Sequence, residues 1–199
     1  MAGDSKPKIG ILVGSHGRGS NMRALARACA EGAIEAEVGL VVSPSESSPA
    51  LGAARELGLP TAVVDVASPD AGSRLAEAFR SSGCTLVCLA GYMRLLPKEV
   101  LDAFPGRVLN IHPALLPKFG GKGMYGMRVH EAVLRSGETE SGCTVHLVNE
   151  RYDEGPIVVQ LRCPVLPGDT PETLAARVLE LEHRAYPEAV RKILAGRTP

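Results

Sequence analysis

Through the first half of the chain, apolar runs of strand length alternate with stretches whose apolar residues recur at helical spacing. Lys8 to Gly14 is one such run, and Asn21 to Ala30 carries Met22, Leu25, Ala26 and Cys29 three or four apart, which predicts a strand, a glycine-rich turn and a helix. Val38 to Val42 is a second buried strand, followed by a helix that Ser47 or Ser48 can cap and that runs to Leu57, with Gly58 closing it. Thr61 to Val64 is a short third strand, Ala71 to Arg80 an amphipathic helix ended by Gly83, and Thr85 to Ala90 a fourth strand apolar on both faces. Strands separated by helices in this way imply a parallel sheet covered on both sides, with right-handed crossovers.

After Pro97 the texture changes. Lys98 to Ala103 reads as a short helix, Arg107 to Ile111 as a fifth strand, and Pro113 to Tyr125 as a loop with two prolines and three glycines. Met127 to Leu134 is helical, with Gly137 as its stop. Ser141 to Val148 and Pro156 to Cys163 alternate as strands around a polar loop, and two strands joined so closely pair antiparallel, making the sheet mixed. Helices over Pro171 to Arg184 and Pro187 to Leu194 finish the chain. The fold class is α/β, with one domain over 1–199 whose residues 1–7 form a flexible N-terminal extension.

Composition narrows the function. Lys plus Arg and Asp plus Glu each total 22, so no net field favours nucleic acid or an anionic membrane as partner. No stretch approaches the roughly 20 apolar residues of a membrane-spanning helix, and the polar N-terminus lacks a signal-peptide core. The five cysteines, Cys29, Cys84, Cys88, Cys143 and Cys163, fall on apolar stretches, as buried thiols of a cytosolic protein do. Cys84 and Cys88, four apart on a strand, are expected to share one buried face and to pack there rather than bind metal.

Ligands of open α/β sheets sit beyond the carboxyl ends of the strands, and three segments are expected there. In Gly14-Ser-His-Gly-Arg-Gly-Ser-Asn21, glycines 17 and 19 permit close backbone approach, and Ser20 or Asn21 can cap a helix whose free N–H groups would hold a phosphate; a tight turn without ligand is the plainer alternative. Asn110 and His112, two apart at the end of the fifth strand, point to the same side: an amide can donate to a developing oxyanion, and an imidazole can shuttle a proton near neutral pH. The charged turn Asn149 to Pro156 can bring a carboxylate that favours the cationic imidazole. His130, His146 and His183 read as structural.

These residues, taken together, resemble the folate-dependent formyltransferase family. The resemblance is carried by Asn110-Ile-His112 with Pro113-Ala-Leu-Leu-Pro117, by Leu89-Ala-Gly-Tyr-Met-Arg-Leu-Leu-Pro97, and by Gly142-Cys-Thr-Val-His146 leading to Asp153. It covers residues 8 to 195, and the Gly17-Arg-Gly-Ser-Asn21 turn narrows it to the purine-pathway branch. The resemblance implies a single-domain Rossmann-like fold with a mixed, mostly parallel sheet and helices on both faces, and no metal. It implies 10-formyltetrahydrofolate as formyl donor, the amine of glycinamide ribonucleotide as acceptor, and a homodimer as one available assembly. By the same resemblance Asn110, His112 and Asp153 match the catalytic set, with Asp153 raising the histidine pKa. Gly19, Ser20, Asn21 and Glu182 match the ribonucleotide site. Met93, Arg94, Leu95, Leu96, Glu150, Arg151 and Tyr152, with Asn110 and Asp153, match the folate site, and Leu116-Pro117 matches a cis bond. The chain departs from the pattern at His16 and Ala114, where many relatives have serine, and has no basic residue between Asp65 and Gly72.

Three other readings share parts of this set. A formyltetrahydrofolate hydrolase would send water to the same carbonyl, but is expected to carry an extra N-terminal domain. A methionyl-tRNA formyltransferase would carry a further C-terminal domain and a basic surface. A silent nucleotide-binding module would keep the glycine turn without needing Asn110, His112 and Asp153. No serine or cysteine sits in a nucleophile setting, so the expected mechanism is direct transfer between two bound substrates.

Overall fold

The computed structural model describes residues 6–197, so most of the expected N-terminal extension, residues 1–5, lies outside the described residues. Strands β1 (Lys8–Val13), β2 (Glu37–Ser43), β3 (Thr61–Val63), β4 (Cys84–Ala90) and β5 (Val108–His112) pair in parallel. Strands β6 (Glu140–Leu147) and β7 (Ile157–Pro164) extend the sheet antiparallel, giving seven strands in the order β3-β2-β1-β4-β5-β6-β7. The helices are α1 (Ser20–Ala30), α2 (Pro49–Glu56), α3 (Ala71–Ser81), α4 (Lys98–Ala103), α5 (Met127–Arg135) and α6 (Pro171–Leu194). The chain steps outward from β1 to β3 and then crosses back to the far side of β1, so the strand order reverses between β1 and β4. At that reversal Gly14 follows β1, and a side chain there would collide with the Gly91 carbonyl at the end of β4.

Strand alternation divides the interior into two layers. Ile9, Ile11 and Val13 of β1 pack with Leu25, Tyr186 and Ile193 from α1 and α6, whereas Leu12, Val87 and Leu89 pack with Leu75, Phe79 and Val100 from α3 and α4. Cys88 belongs to the first layer and Cys84 to the second, so the two cysteines do not share a face as expected. The cause is a register shift: Lys8 pairs with Cys84 but Ile9 with Leu86, and the extra residue inverts the alternation.

Two other expectations need correction. Pro187 does not start a new helix; it lies inside the continuous α6. A proline inside a helix costs about 3 kcal/mol, and here it is offset by burial of Tyr186, Ala189, Val190 and Ile193 on the sheet. The Tyr186 hydroxyl sits 2.8 Å from the Leu89 carbonyl and 3.1 Å from that of Leu109, tying the helix to the end of β4 and the start of β5. Neither Ser20 nor Asn21 caps α1: the N-cap is Gly19 in the left-handed region, φ 74°, with no side-chain cap. Ser48 does occupy the N-cap of α2, but its hydroxyl donates to the Gly14 carbonyl at 2.9 Å instead of to its own helix.

Candidate active site

A cavity of about 400 Å³ opens beyond the carboxyl ends of β4 and β5. Asn110 and His112 reach it from β5, Asp153 from the turn between β6 and β7, Asn21 from the start of α1 and Glu182 from the middle of α6. Met93 to Leu96 and Arg151 with Tyr152 form two further stretches of its wall. Gly19, Ser20 and Glu150, also expected at the site, are not among its lining residues.

The catalytic candidates form one buried cluster. His112 is 4% exposed. Its Nε2 donates to the Phe119 carbonyl at 2.7 Å, and its Nδ1 lies 3.6 Å from Asp153 Oδ2. The same Oδ2 accepts the Gly121 N–H at 2.9 Å. Asp153 Oδ1 faces Asn110 Nδ2 at 3.4 Å and His146 Nε2 at 3.5 Å. His146 Nδ1 lies 2.9 Å from the Leu147 carbonyl, which can only accept, so Nδ1 carries the proton and Nε2 accepts from Asn110 Nδ2 at 3.2 Å. The Asn110 amide nitrogen therefore contacts two protein acceptors on one side, and the 3.4 Å contact to Asp153 is the weaker.

Burial pushes the His112 pKa below its ordinary value; the Asp153 charge and the Phe119 carbonyl oppose this without reversing it. Asp153 acts on the histidine in the expected direction, raising its pKa, while desolvation is the larger influence and sets the net shift. Burial also works to raise Asp153, yet the adjoining His146 ring, the proximity of His112 and the Gly121 N–H together hold it below the usual carboxylate range. The resting cluster is thus an ionised carboxylate beside a neutral imidazole. A proton arriving on His112 would be stabilised by a charge already in place.

At the other end of the cavity, Asn21 Nδ2 donates to Glu182 Oε2 at 2.6 Å across 161 residues of sequence. Glu182 is 8% exposed, and burial raises its pKa against the opposing hydrogen bond from Asn21. Asn21 Oδ1 is buried with no partner among the described residues. Because α1 has no side-chain cap, its first-turn N–H groups also lack one. Buried polar groups of this kind are normally satisfied, and here a ligand in the cavity can supply the partner.

Two histidines that the sequence reading assigned to structure line the cavity. His146 braces Asn110 and Asp153, and its position opposite Asn110 on the neighbouring antiparallel strand follows from the β5–β6 register. A hairpin prediction alone could not supply that register. His130, on α5, is 4% exposed, has an unpartnered Nδ1, and is held neutral by burial, with its pKa lowered to about 4. The Leu116–Pro117 bond is cis, as the resemblance implies. Among the described residues no helix is long and apolar enough to cross a membrane.

The formyl transferase family model matches residues 9–190, and the chain belongs to that family; it is a formyl-transferring enzyme. It is 45% identical to the chloroplastic phosphoribosylglycinamide formyltransferase of Arabidopsis thaliana over 96% of its own length and 67% of the plant protein. It is 34% identical to the phosphoribosylglycinamide formyltransferase of Haemophilus influenzae, over 96% of this chain and 88% of that one. Among solved structures, glycinamide ribonucleotide transformylase 1 of Symbiobacterium toebii superposes with a TM-score of 0.88 at 43% identity, covering 98% of this chain and 90% of that one.

Proposed function

We propose that this enzyme moves the formyl group of 10-formyltetrahydrofolate onto the amine of glycinamide ribonucleotide, giving formylglycinamide ribonucleotide and tetrahydrofolate in de novo purine synthesis. The observation that carries the reading is one cavity joining the Asn110–His112–Asp153 cluster to the Asn21–Glu182 pair. The cluster suits a carbonyl that must become an oxyanion, and the pair suits an amine-bearing nucleotide. Asn110 donates to the oxyanion, Asp153 stabilises the protonated His112, and His112 moves the proton from the attacking amine to the departing folate nitrogen. Glu182 receives the glycinamide end of the ribonucleotide, and the uncapped turn at Gly19, Ser20 and Asn21 receives its phosphate. Met93 and Leu95, 51% and 45% exposed at the cavity wall, give a flat folate ring system an apolar surface. Arg94, Leu96, Arg151, Tyr152 and the exposed Glu150 complete the folate contacts. The five buried free thiols fit a cytosolic enzyme.

The test is an absorbance assay with 10-formyltetrahydrofolate, with and without glycinamide ribonucleotide. Folate product should form only when the amine is present. Equal turnover of the donor in buffer alone would assign the site to hydrolysis.

A further inference from the structure

His112 has a protein group at each ring nitrogen, and the two groups belong to the two non-glycine residues with positive φ among those described: Phe119, φ 58°, and Asp153, φ 57°. A side-chain-bearing residue in the left-handed region costs about 1–2 kcal/mol, and such a conformation persists only where its surroundings hold it. Phe119 is held by packing against the main core cluster. The next residue, Gly120, is closely packed: a Cβ there would press on a Leu116 methyl and come within 3.1 Å of the Asp153 Cβ. Gly121 then donates its N–H to Asp153. Three consecutive residues therefore fix both neighbours of the imidazole.

Resting on the formyl-transfer reading above, we propose that the main-chain carbonyl of Phe119 is a positioning group for His112: it keeps the proton on Nε2, so that Nδ1 is the atom that takes up and releases a proton during transfer. A carbonyl oxygen can only accept, so at 2.7 Å it requires a hydrogen on Nε2 in the neutral and the cationic ring alike. The opposite neutral tautomer would set the Nε2 lone pair against the carbonyl oxygen. Nδ1 is then the lone pair of the neutral ring, and its neighbour Asp153, at 3.6 Å, is too far for a formed hydrogen bond but near enough to stabilise a proton placed there. The other titratable groups facing His112 are His146 and His130.

The proton balance closes. The amine attacks the formyl carbon, a C–N bond forms, and the carbonyl π pair moves to oxygen, leaving an ammonium in the adduct. Nδ1 takes one ammonium proton. It delivers that proton to the folate nitrogen as the old C–N bond breaks and the oxyanion reforms the carbonyl, so the ring ends as it began.

The decisive measurement is the ¹⁵N NMR of histidine-labelled protein without substrates, followed through pH. Neutral His112 should show the Nε2–H pattern; a neutral ring that is mainly Nδ1–H would overturn the proposal. Phe119→Val places a β-branched residue where φ is 58°, which it tolerates poorly. The variant should show mixed tautomers and a kcat lower by about tenfold, roughly 1.4 kcal/mol of barrier, with each KM changed less than about twofold. Phe119→Leu, unbranched at Cβ, should restore the Nε2–H pattern and most of kcat. A Phe119→Val protein that matches the wild type in both tautomer and kcat would also refute it. Should that variant not fold, the wild-type tautomer still decides. That readout needs no substrate, so it separates from the assay of function: a donor hydrolysed without amine would remove the formyl-transfer reading while leaving the tautomer result intact.

Discussion

The two ends of the cavity are built on different physical plans. At one end Asn110, His112, His146 and Asp153 come from the adjacent strands β5 and β6 and the turn that follows β6, and a network of buried contacts between 2.7 and 3.6 Å sets an ionised carboxylate beside the neutral His112. At the other a single amide–carboxylate contact of 2.6 Å spans two helices far apart in sequence, with one amide oxygen left unpartnered. The first end has its internal hydrogen bonds largely made and awaits a proton; the second lacks a partner and awaits a ligand. A network tuned by charge should fail through pH and rate, and an unfinished hydrogen-bond pair should fail through affinity.

The largest effect expected from this contrast is at Asp153. Asp153→Asn nearly keeps the shape but removes the charge that opposes the burial of His112, so the imidazole pKa falls further. Turnover near neutral pH should drop by about a hundredfold or more, the scale of lost proton-transfer catalysis, and should not recover as pH is lowered, because the variant lacks the charge that stabilises the proton taken up by the neutral ring. Turnover against pH, with His112 followed by NMR, checks this; an unchanged His112 pKa in the variant would remove the electrostatic role of Asp153. An intermediate effect is expected at Asn21. Asn21→Ala leaves Glu182 buried without its donor, a loss of about 1.5–3 kcal/mol for a hydrogen bond to a charged group. Ribonucleotide affinity should weaken by about tenfold or more while folate affinity stays within about twofold. Parallel losses in separate titrations of the two ligands would erase the division between the ends.

The smallest effect concerns stability and tests whether His130 belongs to the charge network or only lines it. Its folded pKa is depressed to about 4, so the stability gained by keeping it neutral is complete above about pH 6.5 and is lost as pH falls toward about 4, because the unfolded chain binds a proton that the fold refuses. His130→Phe removes the titration. Between pH 7 and pH 5 it should lose about 1–2 kcal/mol less stability than the wild type, or roughly 3–6 °C in Tm. Identical pH dependence of melting in the two proteins would show that His130 titrates freely.

Periodicity and strand-end polarity placed Asn110 and His112 correctly, because a polar pair closing an apolar strand is a local signal that neighbouring residues display. The alternation of strands and helices likewise determined the parallel sheet and its antiparallel edge. Glu182 and Asp153 are marked as site residues only by the family resemblance, since neither an acid on a long helix nor one in a charged turn differs locally from a solvated neighbour. What the tertiary structure alone decided lies in quantities that depend on distance and dielectric. The strand register put His146 beside Asn110, the shift between β1 and β4 turned Cys84 and Cys88 to opposite layers, and packing carried α6 straight through Pro187. The net direction of the His112 pKa was decided the same way: the pattern of residues supplies the charge of Asp153, but only the packed interior sets how strongly desolvation opposes it.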